Sequence, residues 1–203
     1  MVLHALPPAG QTAGRPKEHT VLWLVRHGES TWNALGLAQG HSDQPRLTRR
    51  GVRQARYAAN QLRGCPISAV YASDLRRAVA TAAPLAAALE LGVSRDPRLR
   101  ERGLGVLEGT PSVAVPAALS GVAGSRVIDP DARPPDGESL RDLYWRAAGF
   151  ASDLLDAGLQ VAVVAHGGTL RVLSAYLRGV PVERMAWEPI GNGCIIRLQQ
   201  AHS

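Results

Sequence analysis

The chain has 203 residues, 45% of them apolar and 20% charged, with a formal net charge of +6. That length suits one domain with a buried core, and the apolar fraction excludes a disordered or collagen-like chain. No stretch reaches the roughly 20 apolar residues of a membrane span. The first residues lack the long apolar core and small-residue cleavage site of a secretory signal. Cys65 and Cys194 make neither a disulfide framework nor a metal-ligand spacing. The expectation is a cytoplasmic, single-domain protein with no membrane partner. Lys17 is the one lysine among 23 basic residues. Such an arginine-rich balance suits anionic partners, phosphate esters or nucleic acid among them. Only Arg46, Arg49, Arg50, Arg53 and Arg56 cluster, however, and a basic helix face is most often a solvated surface.

Residues 1–19 carry three prolines, two glycines and no periodicity, and read as a flexible N-terminal extension. Val21–Val25 is a short apolar, partly β-branched run, a buried strand that opens into Arg26-His27-Gly28. Thr48 is placed to cap a helix reaching about Leu62, with Val52, Ala55, Ala59 and Leu62 on its buried face. A second strand, Ala69–Ala72, leads to Ser73-Asp74, where Asp74 fits an N-cap for an alanine-rich helix to about Leu91. Pro84 predicts a kink or break in that helix. From Gly92 to Pro135 the chain reads as irregular, with a short strand at Val93–Arg95 and a helical turn near Val113–Leu119. Ser139 begins an amphipathic helix to about Ala157, and Val161–Ala165 is a strand ending at His166-Gly167-Gly168. Thr169–Leu177 reads as helix and Cys194–Leu198 as a last strand.

Strands alternating with helices predict a three-layer α/β/α fold with a largely parallel central sheet, here with a small irregular cap excursion at about 103–136. Ligands of such sheets collect beyond the carboxyl ends of the strands. The loops at Arg26-His27-Gly28, Ser73–Arg76 and His166-Gly167-Gly168 leave strand ends of that kind, bringing two histidines and two arginines to one mouth. Two guanidiniums can hold a phosphoryl group by paired charge-assisted hydrogen bonds. A neutral imidazole attacks phosphorus when one ring nitrogen is free and the other is held as N–H. Glu101 and Glu108 both lie where either can supply the proton for a leaving oxygen.

This constellation resembles the histidine phosphatase superfamily, the phosphoglycerate-mutase-like group, across nearly all of 20–198. The resemblance rests on Leu24-Val25-Arg26-His27-Gly28-Glu29-Ser30-Thr31-Trp32-Asn33, with Gln39-Gly40, Asp43, Leu47-Thr48 and Gly51 after it. It continues in Ser73-Asp74-Leu75-Arg76-Arg77-Ala78, in Leu99-Arg100-Glu101-Arg102 with Glu108-Gly109, in Gly137-Glu138-Ser139 and in Val164-Ala165-His166-Gly167-Gly168. Asn192 and Gly193 complete it. It implies one catalytic domain over 20–203 and a phosphomonoesterase that hydrolyses a small phosphorylated metabolite through a phosphohistidine. His27 would be the nucleophile, its ring held by backbone near Gly28. Arg26, Arg76 and His166 would line the phosphate pocket, with Asn33 and the Gly167 N–H as further phosphate contacts, Ser30 contacting phosphate or capping a turn, and Arg77 on the surface. Glu101 would protonate the leaving alkoxide, then activate water. Arg102 would touch substrate. No metal or cofactor is implied, since arginines supply the positive charge, and a homodimer is compatible with the resemblance. His4, His19, His41 and His202 read as solvent-exposed.

Phosphoglycerate mutase-type transfer is the alternative within the group. The stretch from Glu101 to Gly137 is short and free of lysine, which favours water as acceptor, whereas Glu101-Arg102 resembles the mutase pairing. Selectivity for the leaving group is expected from Val106–Pro135, which carries Arg126, Asp129, Asp131 and Arg133 among small apolar residues. A serine hydrolase is disfavoured because Trp32 stands where a nucleophile elbow needs its second glycine. Gly103-Leu104-Gly105 followed by Gly109 misses the dinucleotide fingerprint by one residue. His27 and His166 sit in no His-Glu-x-x-His setting. A non-catalytic phosphate- or RNA-binding module using the arginine-rich helix is the alternative of another class. Nucleic acid is not expected as a partner, because nine aromatic residues offer no evident base-stacking platform.

Overall fold

The computed structural model describes residues 20–120, 129–155 and 159–200. The N-terminal extension, Arg126, Ala157, His4, His19 and His202 lie outside the described residues. In chain order the elements are β1 (Thr20–Arg26), α1 (Thr31–Ala34), α2 (Arg49–Leu62), β2 (Ala69–Ala72), α3 (Arg76–Ala88), β3 (Val93–Arg95), α4 (Val115–Ser120), α5 (Leu140–Leu155), β4 (Gln160–Ala165), α6 (Gly167–Leu177) and β5 (Ile195–Gln200). They form one sheet in the order β3-β2-β4-β1-β5, parallel except for β5. No helix among the described residues is long and apolar enough to cross a membrane.

The unbroken apolar runs of β1 and β4 follow from burial on both faces, the rule for parallel sheets covered by helices. Leu22 and Leu24 of β1, with Val161, Val163 and Ala165 of β4, point into a core shared with Leu143, Ala147 and Phe150 of α5 and Leu170 and Leu173 of α6. Val25, Ala162 and Val164 point the other way, against Ala58, Ala59 and Leu62 of α2 and Ala78, Ala82 and Leu85 of α3. Alternation along each strand thus supplies both layers.

Several local expectations need correction. Thr48 caps α2 as anticipated, its hydroxyl accepting from Gly51 N, but Val52 is 40% exposed and Ala58 takes the buried position beside Ala55 and Ala59. Asp74 does not cap α3. Leu75 occupies the N-cap with no side-chain bond, and Asp74 instead accepts Arg100 Nε at 2.7 Å. The same helix ends at Ala88 and runs through Pro84 without breaking. The carbonyl deprived of its partner there belongs to Ala80, which is exposed and open to water. Helix α6 begins two residues earlier than its glycines suggest, because Gly168 N donates to the Glu101 carboxylate 67 residues away.

Between β3 and α5 the chain is tied to the 36–38 turn by a short antiparallel strap. Ala38 N donates to Thr110 O, Gly109 N to Ala38 O and Ser112 N to Gly36 O, each at 2.8 Å. A second tie, Glu138 N to Gly103 O at 2.8 Å, closes the excursion near its base. The strap carries two 3-10 turns, Gly105–Leu107 and Ser112–Ala114, before α4.

Candidate active site

The carboxyl ends of β1, β2 and β4 lie on one edge of the sheet because the three strands are parallel neighbours. Register does the rest. Arg26 pairs with Ala165, His27 N donates to Ala165 O at 2.9 Å, and Ser73 N donates to Val164 O at 3.0 Å. The rings of His27 and His166 consequently meet edge to face, their centroids 5.0 Å apart. Both line a cavity of about 690 Å³ with Arg26, Asn33, Arg77, Glu101, Arg102 and Gly167.

His27 is 2% exposed, and its Nδ1 donates to the Gly28 carbonyl at 2.7 Å, leaving Nε2 with its lone pair. Burial, followed by the positive fields of Arg77 and Arg26, holds its pKa well below the ordinary imidazole value. The ring is neutral, as a nucleophile must be. His166 is fully buried, and burial followed by Arg77 holds it neutral in the same way. Its Nε2 lies 2.9 Å from Ser73 Oγ, and that oxygen already accepts Leu75 N at 3.3 Å. When the serine hydroxyl donates to Nε2, the His166 ring proton sits on Nδ1.

Gly28 and Gly51 explain how closely the loop after β1 meets the start of α2. A Cβ on Gly28 would lie 2.3 Å from Gly51 O, and one on Gly51 would lie 2.0 Å from Glu29 O. Both obstacles are backbone, so neither yields as a flexible side chain would. Gly51→Ala is therefore expected to lower stability by roughly 1–3 kcal/mol and to lower the activity of the site through the displaced His27 loop. Thermal unfolding and activity measured together check this. An unchanged melting temperature would contradict the close approach.

The second arginine of the pocket is Arg77, which corrects the assignment to Arg76. Arg77 is 1% exposed. Its Nη1 donates to Ser42 O at 2.7 Å and its Nη2 to Gly40 O at 2.9 Å. Burial lowers its pKa to about 10, so it remains a cation at neutral pH. Arg76 is exposed, pairs with Asp43 at 3.0 Å and does not line the cavity. The cause is helical phase, since Arg77, Thr81 and Leu85 recur every four residues on the buried face of α3. Reading that stripe back from Leu85 would have found Arg77.

Of the phosphate contact and the turn cap open to Ser30, the structure shows the cap. Ser30 does not line the cavity. Its Oγ accepts Asn33 N at 3.1 Å and donates to Gln39 Oε1 at 2.8 Å, capping the first turn of α1 and satisfying an otherwise orphaned N–H. Asn33 does line the cavity, its Oδ1 held by Ser30 N and by Asn192 Nδ2. Gly167, the first residue of α6, lines it as well.

Glu101 lines the cavity and Glu108 does not. The Glu101 carboxylate accepts Arg102 N and Gly168 N, each at 2.9 Å, so it is held on the helix that carries Gly167. Glu108 Oε1 instead accepts His41 N at 2.7 Å and Leu104 N at 3.2 Å, pinning two loops together. His41 is half-buried rather than solvent-exposed, with Nε2 2.8 Å from Glu101 O. Arg146 of α5 donates to that same carbonyl and to those of Arg98 and Arg100, fixing the Glu101 segment. Arg102 reaches the cavity wall while its Nε and Nη2 donate to the carbonyls of Glu138 and Ala132. Arg171 and Trp187, which the sequence reading passed over, also line the cavity. Arg171 was findable, lying one helical turn beyond Gly167, whereas Trp187 sits in an irregular loop with no local signal.

Three buried nitrogens in this region have no partner in the protein: Arg26 Nε, Arg77 Nε and His166 Nδ1. Buried polar atoms are rarely left so. Converging on one cavity, they make a site for an anion with several oxygens, with a neutral imidazole nitrogen beside it.

The family model of the histidine phosphatase superfamily (branch 1) matches residues 22–203, and the chain belongs to that superfamily. Among curated relatives, "Probable phosphoglycerate mutase GpmB" of Yersinia pestis (strain Pestoides F) is 37% identical, over 79% of this chain and 75% of that one. Two solved structures share the fold at 31% identity. A mycobacterial protein named "Mycobacterial hydrolase 1" superposes with a TM-score of 0.80, covering 90% of this chain and 91% of its own. The mycobacterial glucosyl-3-phosphoglycerate phosphatase in complex with VO3 does so at 0.78, covering 89% and 94%. The superfamily and these neighbours support phosphoryl-transfer chemistry for this chain.

Proposed function

We propose that this protein is a metal-independent phosphomonoesterase acting through a phosphohistidine. The observation that carries the reading is the state of His27, neutral and with Nδ1–H committed to the Gly28 carbonyl, so that the Nε2 lone pair faces a cavity lined by Arg26 and Arg77. Nε2 attacks phosphorus and the P–O bond to the leaving alcohol breaks. The Glu101 carboxyl gives its proton to the departing oxygen. Water then attacks the phosphoryl group and loses its proton to Glu101, the N–P bond breaks, and free phosphate leaves a restored imidazole. Arg26, Arg77 and the His166 Nδ1–H neutralise charge gathering on the equatorial oxygens throughout.

Glu101→Gln separates this role from a structural one. Alkyl phosphates, whose leaving groups need a proton, should slow by roughly 10²–10⁴-fold, and p-nitrophenyl phosphate far less. Equal losses on both substrates would remove Glu101 as the acid.

Phosphoglycerate mutase-type transfer has one observation in its favour, the Glu101-Arg102 pair at the cavity wall, together with the 37% identical relative named as a mutase. Against it, two arms of Arg102 are committed to backbone carbonyls, which leaves little of the fork for a substrate carboxylate. Incubation with 3-phosphoglycerate in chelator decides between them. Phosphate release without 2-phosphoglycerate supports the hydrolase, and isomerisation without release supports the mutase.

A further inference from the structure

We propose that the leaving group of the substrate is an uncharged, largely apolar alcohol, bound between the 104–119 strap and a Trp187 platform; this rests on the phosphomonoesterase reading above. The cavity has two unlike ends. Arg26, His27, Arg77, His166 and Gly167 gather at the sheet edge, whereas Leu37, Leu104, Val113, Val115, Leu119 and Trp187 make up much of the remaining wall, with Gln39 and Ser112 among them. Several of these apolar side chains are open to solvent: Val113 is 87% exposed and Trp187 46%. Covering them is the gain that an apolar group would bring, while a polyhydroxylated one would lose hydrogen bonds to water there without replacement.

The cations nearest this end each commit part of the guanidinium inside the protein. Arg102 serves the carbonyls of Ala132 and Glu138. Arg171 donates Nε to Glu188 O at 2.6 Å and lays its guanidinium over the Trp187 ring, 4.5 Å from the centroid. Its other end reaches the phosphate side, where a Cβ on Gly167 would come within 3.3 Å of Nη1. Arg171 therefore fixes the indole at the mouth from a helix that also frames the phosphate site. A ring or branched alkyl chain leaving the phosphate would meet that platform. Asp129, also on the wall, further disfavours an acidic leaving group.

The test compares phosphate release from methyl, n-butyl, cyclohexylmethyl and benzyl phosphate, all esters of primary alcohols, with glycerol 1-phosphate and 3-phosphoglycerate as polar and acidic counterparts. Binding of benzylphosphonate and methylphosphonate, which cannot be hydrolysed, is measured alongside. From methyl to butyl, kcat/KM should rise by about fourfold for each methylene buried. Benzyl phosphate should exceed glycerol 1-phosphate by at least roughly tenfold. Trp187→Ala should shrink the benzyl-to-methyl ratio about tenfold and Trp187→Phe should largely restore it. Hydrolysis of all esters at similar efficiency, or a preference for 3-phosphoglycerate, would overturn the apolar subsite and leave the phosphatase standing. No release from any ester, with benzylphosphonate still binding at least tenfold tighter than methylphosphonate, would overturn the phosphatase and keep the subsite. Equal binding of the two phosphonates would overturn the subsite whatever the activity.

Discussion

His27→Ala is expected to abolish phosphate release from every ester, by on the order of 10⁴-fold or more, in a protein that still folds. The size follows from the role. On the proposed mechanism, removing the imidazole removes the atom that bonds to phosphorus, and His166, the ring beside it, has its Nε2 engaged with Ser73. The strand that carries the residue is held by neighbours on both sides, so its ends should keep their places. A complementary measurement is acid-labile, alkali-stable phosphate on the wild-type chain after a rapid quench, absent from the variant. Residual hydrolysis within tenfold of wild type would remove His27 as the nucleophile.

The second large effect separates two adjacent arginines. Arg77→Gln should lower kcat/KM by roughly 10²–10³-fold, whereas Arg76→Gln should change it by no more than a few fold. One guanidinium is buried with an unpartnered Nε at the anion site, and the other sits in solvent on Asp43. Exposed pairs of the latter kind contribute about 0–1 kcal/mol. The pH profile supplies an independent readout. Arg77 is one of the cations that depress the His27 pKa, after burial itself. In the wild type the acid limb of kcat/KM, where His27 gains a proton and ceases to attack, should lie well below pH 6.5, the ordinary imidazole value. Loss of a positive neighbour makes protonation easier, so Arg77→Gln should move that limb to higher pH. A loss of rate with an unmoved limb, or equal losses at Arg76 and Arg77, would contradict the electrostatics.

The chain announces its sheet plainly. The apolar runs at Val21–Val25, Ala69–Ala72 and Val161–Ala165 are short and bounded, and each is a strand in the structure. The histidines that follow two of them are legible because strand ends in a parallel sheet share an edge. What escapes the sequence depends on phase or on distant partners. Arg76 and Arg77 are equivalent as letters, and only the rotation of α3 about its axis separates them. Ser30 sits among pocket residues yet turns inward to satisfy an N–H of its own helical turn. Thr169, rather than Gly167, looks like the start of α6 because glycine is a poor helix former. The Glu101 carboxylate that overrides this preference approaches from the far side of the excursion.

The strap over the cavity is joined to the rest of the chain by the rungs to 36–38, by the Glu108 carboxylate on His41 N and by the closure between Gly103 and Glu138. On the proposed function, bond-breaking and the choice of what is cleaved are housed in largely separate lengths of chain. The interval between Leu104 and Leu119 is then the length to exchange for another of similar span, with Glu108 kept because its carboxylate holds His41 N beside the Gly40 and Ser42 carbonyls that accept Arg77 and Gly109 kept for its positive φ of 83°. One scaffold can then be retargeted by grafting a loop rather than by rebuilding an active centre.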